Sequence, residues 1–153
     1  MLRKFVIGTL GSAAVMFSTT AIAQGTAAEA KAMLDKAVAA VKADKTKALD
    51  MINKGEGGFL DRDLYVFCFN LSDGKAVAAG SNNARKLTGQ DVRTQKDATG
   101  KMYGEQLYAA AKEGQINEVS YSFPKPGSDT TPVPKLSFVT GVGDLGCGVG
   151  YYK

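Results

Sequence analysis

Residues 63–70, Asp-Leu-Tyr-Val-Phe-Cys-Phe-Asn, form the most apolar run of the chain outside its N-terminus. The run is short, aromatic and β-branched, and Leu-Ser-Asp-Gly follows it, so the pattern predicts a buried strand that enters a tight turn. Residues 76–79, Ala-Val-Ala-Ala, come next and predict the second strand of a β-hairpin with its turn at 72–74. The rest of the fold must pack around this hairpin.

The segment before the hairpin has the pattern of a helix. Residues 24–53 are rich in Ala, Lys, Asp and Leu and contain no proline. Their apolar side chains recur at near-helical spacing, with charged residues between them, which predicts one long amphipathic helix. We expect this helix to end at the glycines of 55–58, since glycine is common just past a helix. The alternative to one continuous helix is a break at 44–46.

The second half of the chain predicts one helix at 104–112 and three strands at 118–123, 135–140 and 145–152. All four prolines lie in 124–134, which therefore predicts a semi-rigid extended loop. In the last strand every second residue of 146–150 is glycine, so one face lacks side chains. Either another backbone or a ligand approaches that face closely. We favour packing of the long helix there.

The N-terminus has the three parts of a secretory signal peptide. A basic start, Met-Leu-Arg-Lys, precedes a weakly apolar run at 5–17, and Ala21-Ile22-Ala23 has the small-residue pattern of a cleavage site. We expect cleavage after Ala23, which divides the chain into a signal peptide at 1–23 and one domain at 24–153, placed in the periplasm or secreted. The alternative is an uncleaved anchor, but the apolar run is short for a membrane span.

Composition narrows the function further. The formal charge of +4 falls to +2 without Arg3 and Lys4, which leaves 17 basic and 15 acidic side chains, so nucleic-acid binding is not indicated. The chain has no histidine, the commonest general base and metal ligand, so we expect no enzyme, no metal site and no cofactor. Two cysteines in an exported chain, Cys68 and Cys147, predict one disulfide, the alternative being two buried thiols.

Several short motifs occur together in an order that resembles a known family. They are Gly-Gly-Phe-Leu-Asp (57–61), Leu-Tyr-Val-Phe (64–67), Asp-Gly (73–74), Leu-Thr-Gly-Gln-Asp (87–91), Tyr-Ser-Phe-Pro-Lys-Pro-Gly (121–127), Pro-Lys-Leu-Ser-Phe (134–138) and Gly-Val-Gly-Tyr-Tyr (148–152). The mature chain is similar to single Cache domains of the second type, the extracellular sensor modules of bacterial chemoreceptors and histidine kinases.

The resemblance implies an α+β, PAS-like fold: a five-stranded antiparallel sheet in the order 2-1-5-4-3, with the long N-terminal helix across one face. It also implies a small-molecule pocket on the opposite face and a short organic acid, of the acetate, pyruvate, lactate or propionate class, as ligand. In that strand order the strands of Cys68 and Cys147 are neighbours. The chain ends at Lys153, where a receptor continues. We therefore expect a stand-alone exported form.

The candidate binding residues surround the proline-rich segment. Tyr121 and Phe123 share one strand face, and Lys125 and Lys135 lie at the two ends of that segment. An ammonium beside aromatic rings suits a small carboxylate, because the rings exclude water and the charge orients the anion. The alternative is that the rings belong to the core and the lysines are solvated. The full set of candidate ligand-binding residues is Lys135, Tyr121, Lys125, Phe123, Tyr65 and Arg85.

Two functions are consistent with these observations. The first is an exported sensory module that binds a short organic acid and acts in signalling or chemotaxis. Its partner would be a separate membrane histidine kinase, chemoreceptor or transporter, and it would pair with a second copy through the long helix. The second is a structural or interaction protein of the same fold whose pocket is filled by its own side chains.

Overall fold

The computed structural model describes residues 23–153. The predicted signal peptide therefore lies, except for Ala23, outside the described residues. In chain order, two helices precede a hairpin, a mostly irregular connector leads to a further helix, and three long strands end the chain. No helix in the described range is long and apolar enough to cross a membrane.

The N-terminal segment forms two helices that share one residue as a cap. Helix α1 (Ala27–Ala43) begins at a capping box in which Thr26 and Glu29 exchange hydrogen bonds. Asp44 ends α1 and starts α2 (Lys45–Lys54), because its side chain accepts from the Lys47 amide. Gly55, in the left-handed conformation at φ 68°, ends α2. The predicted break and the predicted glycine end are both confirmed.

The strands form a mixed-length antiparallel sheet around the predicted hairpin. The strands are β1 (Leu60–Asp61), β2 (Leu64–Asn70), β3 (Ala76–Ala79), β4 (Asn117–Pro124), β5 (Pro132–Val142) and β6 (Leu145–Tyr152). Strand β2 pairs with β3 on one side and β6 on the other, and β5 and β4 follow. The five longer strands thus have the predicted order 2-1-5-4-3. The two-residue β1, which pairs with the start of β2, was not predicted.

The two sheet faces carry different layers. Helices α1 and α2 cover one face, and the core there includes side chains of β2, β5 and β6. The connector, with short helix α3 (Asn82–Arg85), a 3₁₀ turn (Val92–Thr94) and α4 (Tyr103–Ala110), lies on the other side. A second core cluster forms between α4 and the sheet. The predicted helix at 104–112 is confirmed, within two residues at its end.

The long helix does not pack on the glycine face, so that prediction is wrong. Leu145, Cys147 and Val149 point toward α1, whereas the glycines at 146, 148 and 150 alternate with them and face the opposite layer. A Cβ at these glycines would meet Phe69, Phe67 and Lys135 respectively. Side chains of the opposite layer, which include two aromatic rings and a lysine, therefore occupy the space that the missing side chains leave.

The proline-rich segment is more ordered than predicted. Strand β4 ends at Pro124 and pairs with Pro132 at the start of β5, so the connecting loop spans only 125–131. Pro134 can lie in a strand because β6 pairs with β5 only as far as Lys135 and Tyr152. The Pro134 carbonyl accepts from the Lys153 amide at 3.0 Å, and the missing N–H of proline falls at the end of the β5–β6 ladder, where proline is tolerated.

A disulfide joins the two central neighbouring strands. Cys68 on β2 and Cys147 on β6 are directly opposite in the antiparallel register and are bonded. Both are buried on the face covered by α1. The disulfide predicted from the cysteine count is confirmed.

Replacing both cysteines by alanine should lower the free energy of unfolding by about 4 kcal/mol. The bond closes a loop with a sequence separation of 79 residues, and loop-closure entropy in the unfolded chain grows with that length. Urea unfolding of the parent and of the Cys68→Ala/Cys147→Ala variant measures the difference. Equal midpoints with equal slopes would contradict a stabilising role for this bond.

Candidate ligand site

Lys135 is the most unusual side chain of the described structure. It is 1% exposed, although lysine is rarely buried without a carboxylate partner. Its Nζ donates a hydrogen bond to the Tyr65 hydroxyl at 2.8 Å. Register places Lys135 of β5 between Tyr121 on β4 and Tyr152 on β6, so three neighbouring strands present these side chains at one level.

Five aromatic rings surround the Lys135 ammonium. Their centroids lie 4.1–5.8 Å from Nζ, and they belong to Tyr65, Phe67, Tyr121, Phe123 and Tyr152. Ring faces attract a cation through their quadrupole, so the rings offset part of the lost hydration. They also exclude water from the amine, which strengthens every electrostatic interaction made there.

Gly150 lets Lys135 reach this position. A Cβ at Gly150 would collide with Lys135 Cε and with the Ser137 hydroxyl. Lys135 therefore extends across the bare backbone of β6 toward Tyr65 on β2. The space left by one missing side chain in the glycine-rich strand is occupied by the lysine.

Burial shifts the ionisation of this cluster. Burial lowers the pKa of Lys135 to about 7, and the charge of Asp63 opposes that shift in part. Burial also raises the pKa of Tyr65 and of Tyr121 well above the ordinary value, so both phenols stay protonated at neutral pH. Tyr121 shares a hydrogen bond of 2.8 Å with Ser137.

An apolar cavity of about 50 Å³ lies against the aromatic rings that surround the lysine, although Lys135 itself does not line it. It shares four of the five rings around the ammonium, namely those of Tyr65, Phe67, Tyr121 and Phe123. The rest of its wall includes alanines of β3 and α3, apolar side chains of the connector and α4, and the polar residues Thr88, Gln90 and Gln95. The arrangement places a positive charge within a cage of rings, and four of those rings also line a mostly apolar cavity.

The structure brings together four of the six predicted binding residues. Lys135, Tyr65, Tyr121 and Phe123 form one cluster, as described above. Lys125 lies at the rim of this cluster, with its Nζ 5.6 Å from the centroid of the Tyr152 ring. Its side chain is 37% exposed, and its Nζ is 3.9 Å from an Asp63 carboxylate oxygen.

Arg85 lies outside the cavity wall. Its guanidinium donates to the backbone carbonyls of Asn53, Ala79 and Gly80, with a shortest distance of 2.8 Å. These bonds join the end of α2 to the end of β3 and to α3. The structure therefore indicates a structural role for Arg85 in holding the connector.

Sequence reasoning missed several members of the site. Tyr152 lies opposite Lys135 in the sheet, and its hydroxyl donates to the Pro124 carbonyl at 2.7 Å. Tyr103 of α4 stacks on Tyr121 with ring centroids 4.4 Å apart. The alternation of β6 could have revealed Tyr152, which follows the glycines at 146, 148 and 150 on the same face. The position of Tyr103 depends on how the connector folds back onto the sheet, which no local sequence pattern shows.

A family model provides the decisive comparison. The model described as "Single Cache domain 2" matches residues 13–152. The chain belongs to the single Cache domain 2 family. Comparison with curated protein sequences finds no significant match.

Solved structures of Cache and chemotaxis proteins share this fold. A chain described as "Periplasmic sensor domain of chemotaxis protein" is 26% identical, with a TM-score of 0.60 and coverage of 80% of this Cache chain and 86% of that chain. A methyl-accepting chemotaxis protein from Vibrio parahaemolyticus is 23% identical, with a TM-score of 0.64 and coverage of 82% and 86%.

A third chain is described by the words "Structural basis for carboxylic acid recognition by a Cache chemosensory domain". It is 26% identical, with a TM-score of 0.59 and coverage of 80% of this chain and 84% of that chain. The Cache fold and the family predicted from the sequence are confirmed.

Substituting Gly150 by alanine should expel Lys135 from the cluster, because a Cβ there takes the space of the lysine Cε. Acylation of lysines, mapped by mass spectrometry, should then modify Lys135, which is protected in the parent. Gly146→Ala is the matched control, since its Cβ meets Phe69 and Ala111 in the same face of β6. If Lys135 stays protected in Gly150→Ala, the glycine does not determine its position.

Proposed function

We propose that this Cache domain is an exported sensory module that binds a short organic acid through Lys135. The observation that carries the proposal is a buried ammonium with no carboxylate within hydrogen-bond distance in the described structure, enclosed by rings of which four line an apolar cavity. A buried charge without a counter-ion is costly, and a carboxylate ligand would supply the missing charge. The description of a similar Cache domain in terms of carboxylic acid recognition supports this ligand class.

The geometry suggests how such a ligand would lie. Its carboxylate would accept from Lys135 Nζ, which has donors left after the bond to Tyr65, and from the Tyr65 hydroxyl proton. Its carbon chain would enter the cavity of about 50 Å³, whose wall is mostly alanine, leucine and aromatic carbon. The small volume favours acids of two to four carbons, and the apolar wall disfavours a second charge on the ligand.

The sheet offers a route from the site to the helix layer. Lys135 points to the ligand side of β5, and the alternate residues Leu136 and Phe138 pack in the cluster beneath α1. A shift of Lys135 on ligand binding would therefore act on the same strand that α1 contacts. We propose that α1 conveys ligand occupancy to a separate membrane partner, a histidine kinase, chemoreceptor or transporter, and that two copies pair along it.

Export is part of this proposal. The neighbouring chemotaxis structure is described as a periplasmic sensor domain, and a signal peptide at 1–23 with cleavage after Ala23 would deliver this domain to that compartment. We place it in the periplasm or outside the cell and assign it no enzymatic activity.

Lys135→Met should weaken binding of the preferred acid ten- to a hundredfold. The change keeps the bulk and removes a charge-assisted hydrogen bond worth about 1.5–3 kcal/mol. Isothermal titration with acetate, propionate, lactate and pyruvate measures the loss. Lys47→Met, on the exposed surface of α2, is the matched control. Unchanged affinity in Lys135→Met would refute the assignment, and a loss confined to Lys125→Met would move the anchor to the rim.

The same Lys135→Met variant should be more stable than the parent without ligand. At or below pH 7 the parent bears the full cost of a buried ammonium, since its folded pKa of about 7 lies below the unfolded value of about 10.4. Removing the ammonium should add about 1–4 kcal/mol to the free energy of unfolding. The gain should shrink as pH rises from 7 to 10, where the parent amine is neutral in the folded state. Thermal unfolding across this range tests the sign, and a less stable variant at pH 6 would contradict it.

Affinity for the acid should decrease with rising pH. The ligand stays ionised above pH 6, so the titrating group is Lys135, which must be protonated to bind it. Affinity should be nearly constant below pH 6 and should approach a tenfold fall per unit above pH 7. Titrations from pH 5.5 to 9 measure this, and a flat profile in the parent would exclude Lys135 as the anchor.

A further inference from the structure

Asp63 carries a buried carboxylate oxygen that lacks a hydrogen-bond partner among the described residues. The residue is 8% exposed, and its Oδ2 is buried without any donor within bonding distance. The nearest cation, Lys125 Nζ, is 3.9 Å away, which is beyond a hydrogen bond. An unpaired buried carboxylate oxygen is costly, so a missing donor is indicated at this place.

The other oxygen of Asp63 already holds the start of the folded chain. Its Oδ1 accepts from the Gly25 amide at 2.7 Å. Residue 25 must be glycine, because a Cβ there would collide with Leu64. Gln24 and Ala23 line a cavity of about 210 Å³ together with Asp63, Arg62, Lys125 and Pro126. The backbone nitrogen of Gln24 is therefore one residue from an atom that already bonds this carboxylate.

We propose that Asp63 is the binding site for the new α-ammonium of the processed chain at Gln24. Cleavage after Ala23 replaces an amide N–H by an ammonium with three donors, at the rim of the cavity that Asp63 lines. This group would bond Oδ2 while the Gly25 amide keeps Oδ1, so the carboxylate would be satisfied only after processing. The predicted cleavage motif, Ala21-Ile22-Ala23, and the unpaired oxygen are independent observations that lead to one place.

The charges around this site allow such a pair. Arg62 does not satisfy Oδ2, since its guanidinium is bonded to Glu29 and Asp61 and donates to the Gln24 carbonyl. The negative charge of Asp63 acts to raise the pKa of Lys135 and the pKa of Tyr152. The titratable and charged groups that face the proposed pair are thus Arg62, Glu29, Asp61, Lys125, Lys135 and Tyr152.

A double-mutant cycle tests the pair. The chain beginning at Gln24 and the same chain preceded by Gly-Ser are each prepared with Asp63 and with Asp63→Asn, and all four are melted at pH 6.5. The extension should lower Tm by about 3–6 °C in the Asp63 background and have little effect in the Asp63→Asn background. Mass spectrometry of the exported protein must show a chain that starts at Gln24.

A chemically modified form provides a control without added residues. Attack of the Gln24 α-amine on its own side-chain amide closes a lactam, releases ammonia and removes the charge. The cyclised chain should melt at the same temperature as the extended one.

The difference in Tm between the processed and extended forms should also vanish by about pH 10, because the ordinary α-amine pKa is about 7.7–8.0 and pairing raises it in the folded state.

Three results would overturn the proposal. They are an equal effect of the extension with and without Asp63, a cyclised chain as stable as the processed one, and an exported chain that starts elsewhere. None of these results bears on ligand binding by Lys135, so this inference and the proposed ligand site can fail separately. An exported chain that starts elsewhere would contradict only the cleavage position within the proposed function.

Discussion

A buried lysine ammonium enclosed by aromatic rings is the constraint on which the rest of this structure depends. Lys135 reaches Tyr65 only because Gly150 leaves the intervening strand bare. The order of the sheet matters equally, since it places β4, β5, β6 and β2 side by side and so gathers rings from each. The covalent bond between Cys68 and Cys147 fixes the two strands on the opposite face, beneath the helix layer.

Burying the Lys135 ammonium costs free energy in the empty protein, and a bound anion would offset that cost. Desolvation lowers the pKa of Lys135 to about 7, and ring faces and one phenol offset only part of the lost hydration. A structural role alone would be served as well by an apolar side chain, which packs without that penalty. A site that is unfavourable when empty and satisfied by an anion gives binding a large differential effect, which a sensor needs if occupancy is to shift a conformational equilibrium.

The sequence predicted the fold well because its signals are local. The hairpin turn at 72–74, the helix break at 44–46 and the alternation around Lys135 each depend on neighbouring residues, and family resemblance supplied the strand order. The errors concern packing between distant segments. The glycines of β6 indicated a close approach, but periodicity could not tell whether a helix or a lysine fills the space. Tyr103 and the unpaired oxygen of Asp63 appear only when the connector and the N-terminal segment are in place.

The central claim is that Lys135 is a buried, titrating amine whose counter-ion is a small carboxylate. The most direct measurement is the pKa of this lysine, followed through its ¹³Cε resonance, without ligand and with saturating propionate or the best acid found. The account predicts a value near 7 for the empty protein and a clear rise when the acid is bound. An ordinary value of about 10.4 in the empty protein, or no change on saturation, would contradict it.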